Sequence, residues 1–170
     1  QKVFNRGEVK DVTIVDIDEK SIAKVGQFPW RRDAYSEILK NLNQHNPKAI
    51  AFDIVFSEED KQNPKDLLLQ LQKESNQLID VEVSDTNKIF VDSIKNSKII
   101  LPILGEPNDN FVKNESKPKA RIIAKGENPK NFIYKFKNKI ISLEEISNAA
   151  SGIGSISLIP NIDGVIRNVP

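Results

Sequence analysis

The sequence predicts an α/β fold: a mostly parallel central sheet with flanking helices, plus a C-terminal antiparallel hairpin. Three observations carry this. Apolar, β-branched runs at residues 12–17, 49–56 and 98–104 have the near-continuous hydrophobicity of strands covered on both faces. A helix pattern of sensible crossover length separates the first two, so they are expected to be parallel neighbours. Near the end, Asp163-Gly164 stands between apolar runs at 153–160 and 165–169, a strong hairpin signal.

Each element follows from local chemistry. After the first strand and a short connector, Tyr35, Ile38, Leu39 and Leu42 fall at i, i+3, i+4 and i+7, one buried helical stripe. Asp33 is its expected cap and Asn46-Pro47 its stop. Residues 57–65 are charged and polar, a loop. Asn63-Pro64 with Asp66 starts the next helix, whose apolar face is expected to be Leu67, Leu68, Leu71, Leu78 and Ile79. A further helix over about 84–96 turns Ile89, Phe90 and Ile94 inward. The third strand contains Pro102, which predicts a strand end or an edge position.

Residues 106–131 are rich in Pro, Asn, Lys and Glu, with at most a short strand at 121–124. Residues 132–136 read as a strand turning at Lys137-Asn138. Ser142-Leu143-Glu144-Glu145 has the spacing of a capping box, flanked by Ile141 and Ile146 as a hydrophobic staple. Its helix buries Ile146, Ala149 and Ala150 and ends near Gly152.

At 170 residues and 38% hydrophobic content, the chain is expected to form one domain, residues 1–170, with an ordinary core. A net charge of +1 gives no nucleic-acid footprint, and the mildly basic stretch 113–139 reads as a solvated loop face. The absence of Cys excludes disulfides, thiolate zinc sites and cysteine nucleophiles. No apolar run approaches the roughly 20 residues of a membrane span. Lacking an initiator Met and stopping on Val169-Pro170, the sequence is expected to be an excised fragment of a longer protein.

The residues that could carry chemistry are carboxylates at strand ends. Asp16 and Asp18 share one face if the first strand extends that far, and Asp53 is expected at the same sheet edge. Ligand sites of open parallel sheets lie beyond the carboxyl ends of the strands. Three acids there could hold Mg²⁺ or Ca²⁺. Alternatively they pair with Arg32 and cap backbone N–H groups of the next turn. Asp-Ile-Asp after an apolar strand also evokes the haloacid-dehalogenase-like phosphohydrolases, with Asp16 as nucleophile and Mg²⁺ alongside. Lys20 stands where that pattern carries Thr or Val, and no lysine-then-paired-acid continuation follows. His45, the single histidine, belongs at a helix C-terminus. Trp30, beside Phe28 and Pro29, is expected to plug the entry to the helix of Tyr35. No Gly-rich phosphate loop is present.

Read in order, VTIVDIDEKSI, FPWRR, KAIAFDIVFSEED, IILP and GIGSISLIPNIDGVIRNVP resemble the second type of CHASE domain, the cyclases/histidine-kinases associated sensory extracellular domain. The family's motifs fall on Asp16, Asp18 and Ser21; on Pro29, Trp30 and Arg32; on Phe52 and Asp53; and on Asp163, Gly164 and Arg167. The chain departs from the pattern at Phe28, where Trp is usual, and at Asn161, where Asp is frequent. Residues 57–83 are longer than typical.

The resemblance implies an extracytoplasmic, non-catalytic input domain of a prokaryotic membrane receptor. Its output would be a histidine kinase, a nucleotide or diguanylate cyclase, or a serine/threonine kinase. A polar cluster of Asp16, Asp18, Ser21, Trp30, Arg32, Asp53, Asp163 and Arg167 is the expected ligand-binding or structural site, with Arg32 paired to one of the aspartates. No catalytic residue, metal ligand or cofactor is assigned. The expected partners are a small molecule or ion, the membrane through helices outside these residues, and a second copy in a homodimer. Two other classes stand beside this reading, the Mg²⁺-dependent phosphohydrolase and a ligand-free dimerisation module.

Overall fold

In a computed structural model, the described residues are 11–106, 126, 128, 134–158, 163 and 165–166. The chain divides after Trp30 into two compact units.

In the first unit the expected strand is absent. Residues 12–17 are irregular, and Val12, Ile14 and Val15 are exposed. A β-branched run has the propensity for a strand, but without a paired neighbour it makes no ladder. What does form is a helix the sequence reading passed over, α1 (Glu19–Val25). Asp18 is its N-cap, and its Oδ1 accepts both the backbone N–H of Ser21 at 2.9 Å and the Ser21 hydroxyl at 2.7 Å. Gly26 closes α1 at φ 115°, a left-handed conformation that favours glycine. Trp30 is buried, and its indole N–H donates to the Gly26 carbonyl at 2.7 Å.

The second unit holds the sheet. Strand β1 (Ile50–Ala51) follows helix α2 (Arg32–Asn43) and pairs in parallel with β2 (Ile99–Glu106), not with residues 12–17. Strand β3 (Asn138–Ile141) is antiparallel to β2, and β4 (Gly152–Ser155) is parallel to it. Ile100 pairs with both Ala51 and Gly152, and Ile103 with both Ile141 and Ser155. Strand β4 therefore lies along one side of β2, while β1 and β3 follow one another along the other. The fold is α/β with a mostly parallel sheet and one antiparallel strand. Much of the expected 153–169 hairpin lies outside the described residues. Within it, Asp163 sits in a turn and accepts the Val165 N–H at 3.2 Å.

Pro102, expected at an edge or end, lies buried in the central strand. The ladder explains how. Ile99 and Ile103 carbonyls accept from Ser151 and Ile156 on the β4 side, and the Ile100 carbonyl accepts from Phe52 on the β1 side. Alternate residues thus face alternate sides, and Pro102 faces the side where β1 has ended and β3 has not begun. Its missing N–H costs no ladder bond. Three residues on, a Cβ at Gly105 would run into the ring of Phe136, so any side chain there must displace that ring.

Helix α2 presents its expected stripe, with Tyr35 and Leu39 buried and Ile38 and Leu42 half-buried. It packs on α4 (Thr86–Lys95), which packs in turn on α5 (Glu144–Ala149). Between them Tyr35, Phe52, Phe56 and Phe90 form an aromatic cluster. Phe56 lies 5.1 Å from Tyr35 and 4.8 Å from Phe90 between ring centroids, both edge-on. On α4 the buried stripe is Asn87, Phe90, Val91 and Ile94, spaced i, i+3, i+4, i+7. Ile89 lies off that stripe and is exposed, contrary to expectation.

Helix α3 (Pro64–Ser75) starts at Asn63-Pro64 as predicted but buries none of its residues. Leu67, Leu69 and Leu71 are exposed, and Leu78 beyond its end is 97% exposed. A leucine stripe makes one side apolar without supplying anything to pack on it. The predicted strand at 132–136 is displaced to β3, with 134–136 irregular, and residues 121–124 lie outside the described residues. The capping box does not form either. Leu143 is the N-cap of α5, and the Ser142 hydroxyl instead accepts the backbone N–H of Phe56 at 3.1 Å. A tertiary donor has outcompeted the local one. Ile141 and Ile146 are nevertheless both buried, as the staple requires. His45 is exposed beyond the C-terminal end of α2.

Candidate functional site

The structure puts the residues singled out from the sequence in different environments. Asp18 and Ser21 are spent on each other at the start of α1. That contact holds the Asp18 carboxyl below its ordinary range, because the Ser21 hydroxyl and then its N–H stabilise the anion. Asp16 is exposed on the irregular segment, and Asp53 is exposed on a bend after β1. Asp163 is exposed in its turn, and Arg167 lies outside the described residues. Among the described residues no three His, Asp or Glu side chains form a group that could hold a metal ion.

Arg32 is buried, but it forms no ion pair with the expected aspartates among the described residues. Its guanidinium lies 4.6 Å from the centre of the Phe56 ring and donates to the Glu58 carbonyl at 2.7 Å. Its Nε is buried without a partner. Burial pushes the guanidinium below its ordinary value, with the Asp60 carboxylate acting in the opposite sense.

The aspartate that organises this region is Asp60, which sequence reading left in a polar loop. It is only 8% exposed and every bond it makes is structural. Oδ2 accepts the Arg32 backbone N–H at 2.8 Å and the Thr86 hydroxyl at 2.9 Å, and Oδ1 accepts the Gln62 N–H at 3.0 Å. Arg31, at the N-cap of α2, makes no side-chain cap, and Asp33 in the first turn is held by Arg31 instead. Asp60 therefore caps α2 from across the fold.

Asn63 does the same for α4. Its Oδ1 accepts the Thr86 N–H at 3.0 Å, while its Nδ2 donates to Asp66 at 2.8 Å and to Asp85 at 3.3 Å. Asp85 is the local cap of α4, accepting the Lys88 N–H, and is bonded by Lys65 Nζ at 2.8 Å. The N-termini of α2, α3 and α4 are thus tied into one polar knot through the loop at residues 58–63. The Asn63-Pro64 start was a visible signal for part of it. Nothing local marked Asp60 as a cap, because the helix residues it holds lie 28 and 26 positions away.

A cleft of about 1070 Å³ opens directly on this knot. Asp60, Asn63 and Asp85 line it, together with Glu59, Asn87 and Glu145. Its apolar wall comes from Leu67, Val91 and Ala149. A smaller recess shares Glu59, Glu145 and Asn148 and adds Leu143 and Glu144. A concave, partly apolar surface with converging polar groups is the usual form of a small-molecule site.

Residues 1–170 match the family model of the CHASE2 domain. The chain belongs to the CHASE2 domain family. CHASE2 domains are extracytoplasmic sensory domains of membrane receptors. No curated protein and no solved structure matches the chain. No helix among the described residues is long and apolar enough to cross a membrane. In this CHASE2 chain, Arg32, one of the residues on which the resemblance was read, meets the 58–63 loop that also walls the cleft.

Proposed function

We propose that this CHASE2 domain is the extracytoplasmic input of a transmembrane receptor, itself non-catalytic, facing the periplasm or cell surface. Membrane helices outside these residues would carry its state to a cytoplasmic histidine kinase, nucleotide or diguanylate cyclase, or serine/threonine kinase. One observation supports a sensing role above others: Asp60 lines the cleft and at the same time caps α2 and bonds the first residue of α4. A ligand that moves the 58–63 loop must alter the start of both helices. Little energy is needed, since about 1.4 kcal/mol of differential affinity shifts a two-state output tenfold.

The experiment uses the full-length receptor in its membrane. A reporter enzyme active only outside the cytoplasm, inserted at the exposed Gln77, should be active. Kinase or cyclase output should change when Asp60 is replaced by Asn. A cytoplasmic reporter, or an output indifferent both to that substitution and to removal of residues 11–158, overturns the reading. The homodimer expected for such receptors is tested by cross-linking in the same membranes.

A further inference from the structure

Helices α3 and α4 begin at one point. Asn63, the N-cap of α3, donates through Nδ2 to Asp66 in its own first turn and to Asp85, the N-cap of α4. From there the two helices part. The cleft is lined by α4 from Asn87 to Lys95, nearly its full length, but by α3 only at Asp66, Leu67 and Gln70. The rest of α3 does not reach it, and the helix buries none of its residues. Beyond α3, residues 77–85 return to α4 without helix or strand.

The two sides turned toward the cleft match. Leu67, Gln70, Leu71 and Glu74 fall at i, i+3, i+4 and i+7 on α3, and Lys88, Val91, Asp92 and Lys95 share that spacing on α4. Counted from the caps Asn63 and Asp85, Asp66 and Lys88 are each third, and Gln70 and Asp92 each seventh. Val91 is sixth, between Leu67 at fourth and Leu71 at eighth; Glu74 is eleventh and Lys95 tenth. At a rise of about 1.5 Å per residue, each pairing is level to within ~3 Å. A carboxylate thus meets a lysine at either end, with apolar groups between. In the open arrangement Leu67 is 47% and Leu71 55% exposed. Glu74 and Lys95 hold neighbours on their own helices, Gln70 at 2.8 Å and Asp92 at 3.4 Å.

We propose that α3 is a lid, hinged at Asn63, that closes on α4. Closure sets Leu67 and Leu71 about Val91, Gln70 against Asp92 and Glu74 against Lys95. This gives the sensory reading above its moving part and rests on that reading for its purpose. The hinge reaches the rest of the knot, because Asn63 Oδ1 accepts the Thr86 N–H while the Thr86 hydroxyl donates to Asp60.

The chain lacks cysteine, so an introduced pair is unique in it. Glu74→Cys with Lys95→Cys puts one thiol on each facing side, at exposed positions that leave the fold intact. Lys73→Cys with Lys95→Cys is the control, its α3 thiol turned about 100° round the helix. With oxidised glutathione, the first pair should form an intrachain disulfide at least about tenfold faster, since bridging needs the two backbones within about 7 Å. Leu67→Asn and Leu71→Asn should each slow it about tenfold by weakening closure. Equal rates in the two pairs, no intrachain disulfide, or rates indifferent to both leucine changes overturn the lid. A disulfide formed only between chains does so too, and gives the leucine side to a second copy. Receptor output separates the two readings. A lid that fails while output still depends on this domain removes the lid alone. An intrachain disulfide in a receptor whose output is indifferent to the domain removes the sensory reading alone.

Discussion

Asp60 holds Arg32 by its backbone and not by its charge: Oδ2 accepts the Arg32 N–H at 2.8 Å, while the guanidinium turns to the Glu58 carbonyl at 2.7 Å. The same carboxylate oxygen takes the Thr86 hydroxyl, so one side chain fixes the starts of two helices. Asp60→Ala strands the Arg32 N–H, the Gln62 N–H and the Thr86 hydroxyl together. The expected cost is about 2–4 kcal/mol, read as a fall in urea midpoint at unchanged slope. Asp60→Asn keeps one acceptor and should lose roughly half as much.

Arg32 itself contributes less to stability than its burial suggests. It has an orphaned Nε and no ion pair among the described residues, so Arg32→Met keeps the stem volume and removes a buried cation. Stability should stay within about 1 kcal/mol of the parent. Arg32→Ala also loses the packing over Phe56 and should cost about 2–3 kcal/mol by the same denaturation assay.

Acid should loosen the knot and its neighbour. The hydrogen bond from Lys65 holds the Asp85 carboxyl below its ordinary range, and that from Arg31 does the same for Asp33. Both are folded-state pKa values lowered below an unfolded value of about 3.9. Their stabilisation is therefore complete above that value and is lost as pH falls through the folded pKa. Thermal melts should be flat from neutral to about pH 5 and fall below about pH 4. Asp85→Asn should flatten this acid limb, and high salt should shrink it because both groups are partly exposed.

Gly105 tests the packing of β2 on the chain before β3. Gly105→Ala must displace the Phe136 ring and should cost about 1–3 kcal/mol. In a Phe136→Ala background the same change should cost far less, and a double-mutant cycle reads the difference.

The fold was legible where it depended on local periodicity. The α2 stripe through Tyr35 and Leu39, the Asn63-Pro64 helix start, the strand at Ile99 and the staple of Ile141 and Ile146 all follow from spacing. What escaped was decided by partners distant in sequence. Pro102 sits mid-sheet because two other strands leave a gap beside it, and Ser142 abandons its capping box because the Phe56 N–H reaches it. At the site, Arg32 was identified and Asp60 was not, for the same reason. Residues 12–17 look like a strand in composition, yet a strand exists only through its neighbour, and the visible cap Asp18-x-x-Ser21 instead starts a helix.

Trp30 is the chain's only tryptophan and closes the first unit, its indole on the Gly26 carbonyl, whereas Tyr35 lies in the aromatic core of the second. The molecule therefore carries two spectroscopic channels of its own. Indole emission follows the surroundings of α1, and far-ultraviolet dichroism is dominated by the helices and sheet beyond it. If the two signals coincide on denaturation, the units melt as one cooperative body; if indole emission changes first, the segment bearing the family's opening motif can move while the sheet stays folded.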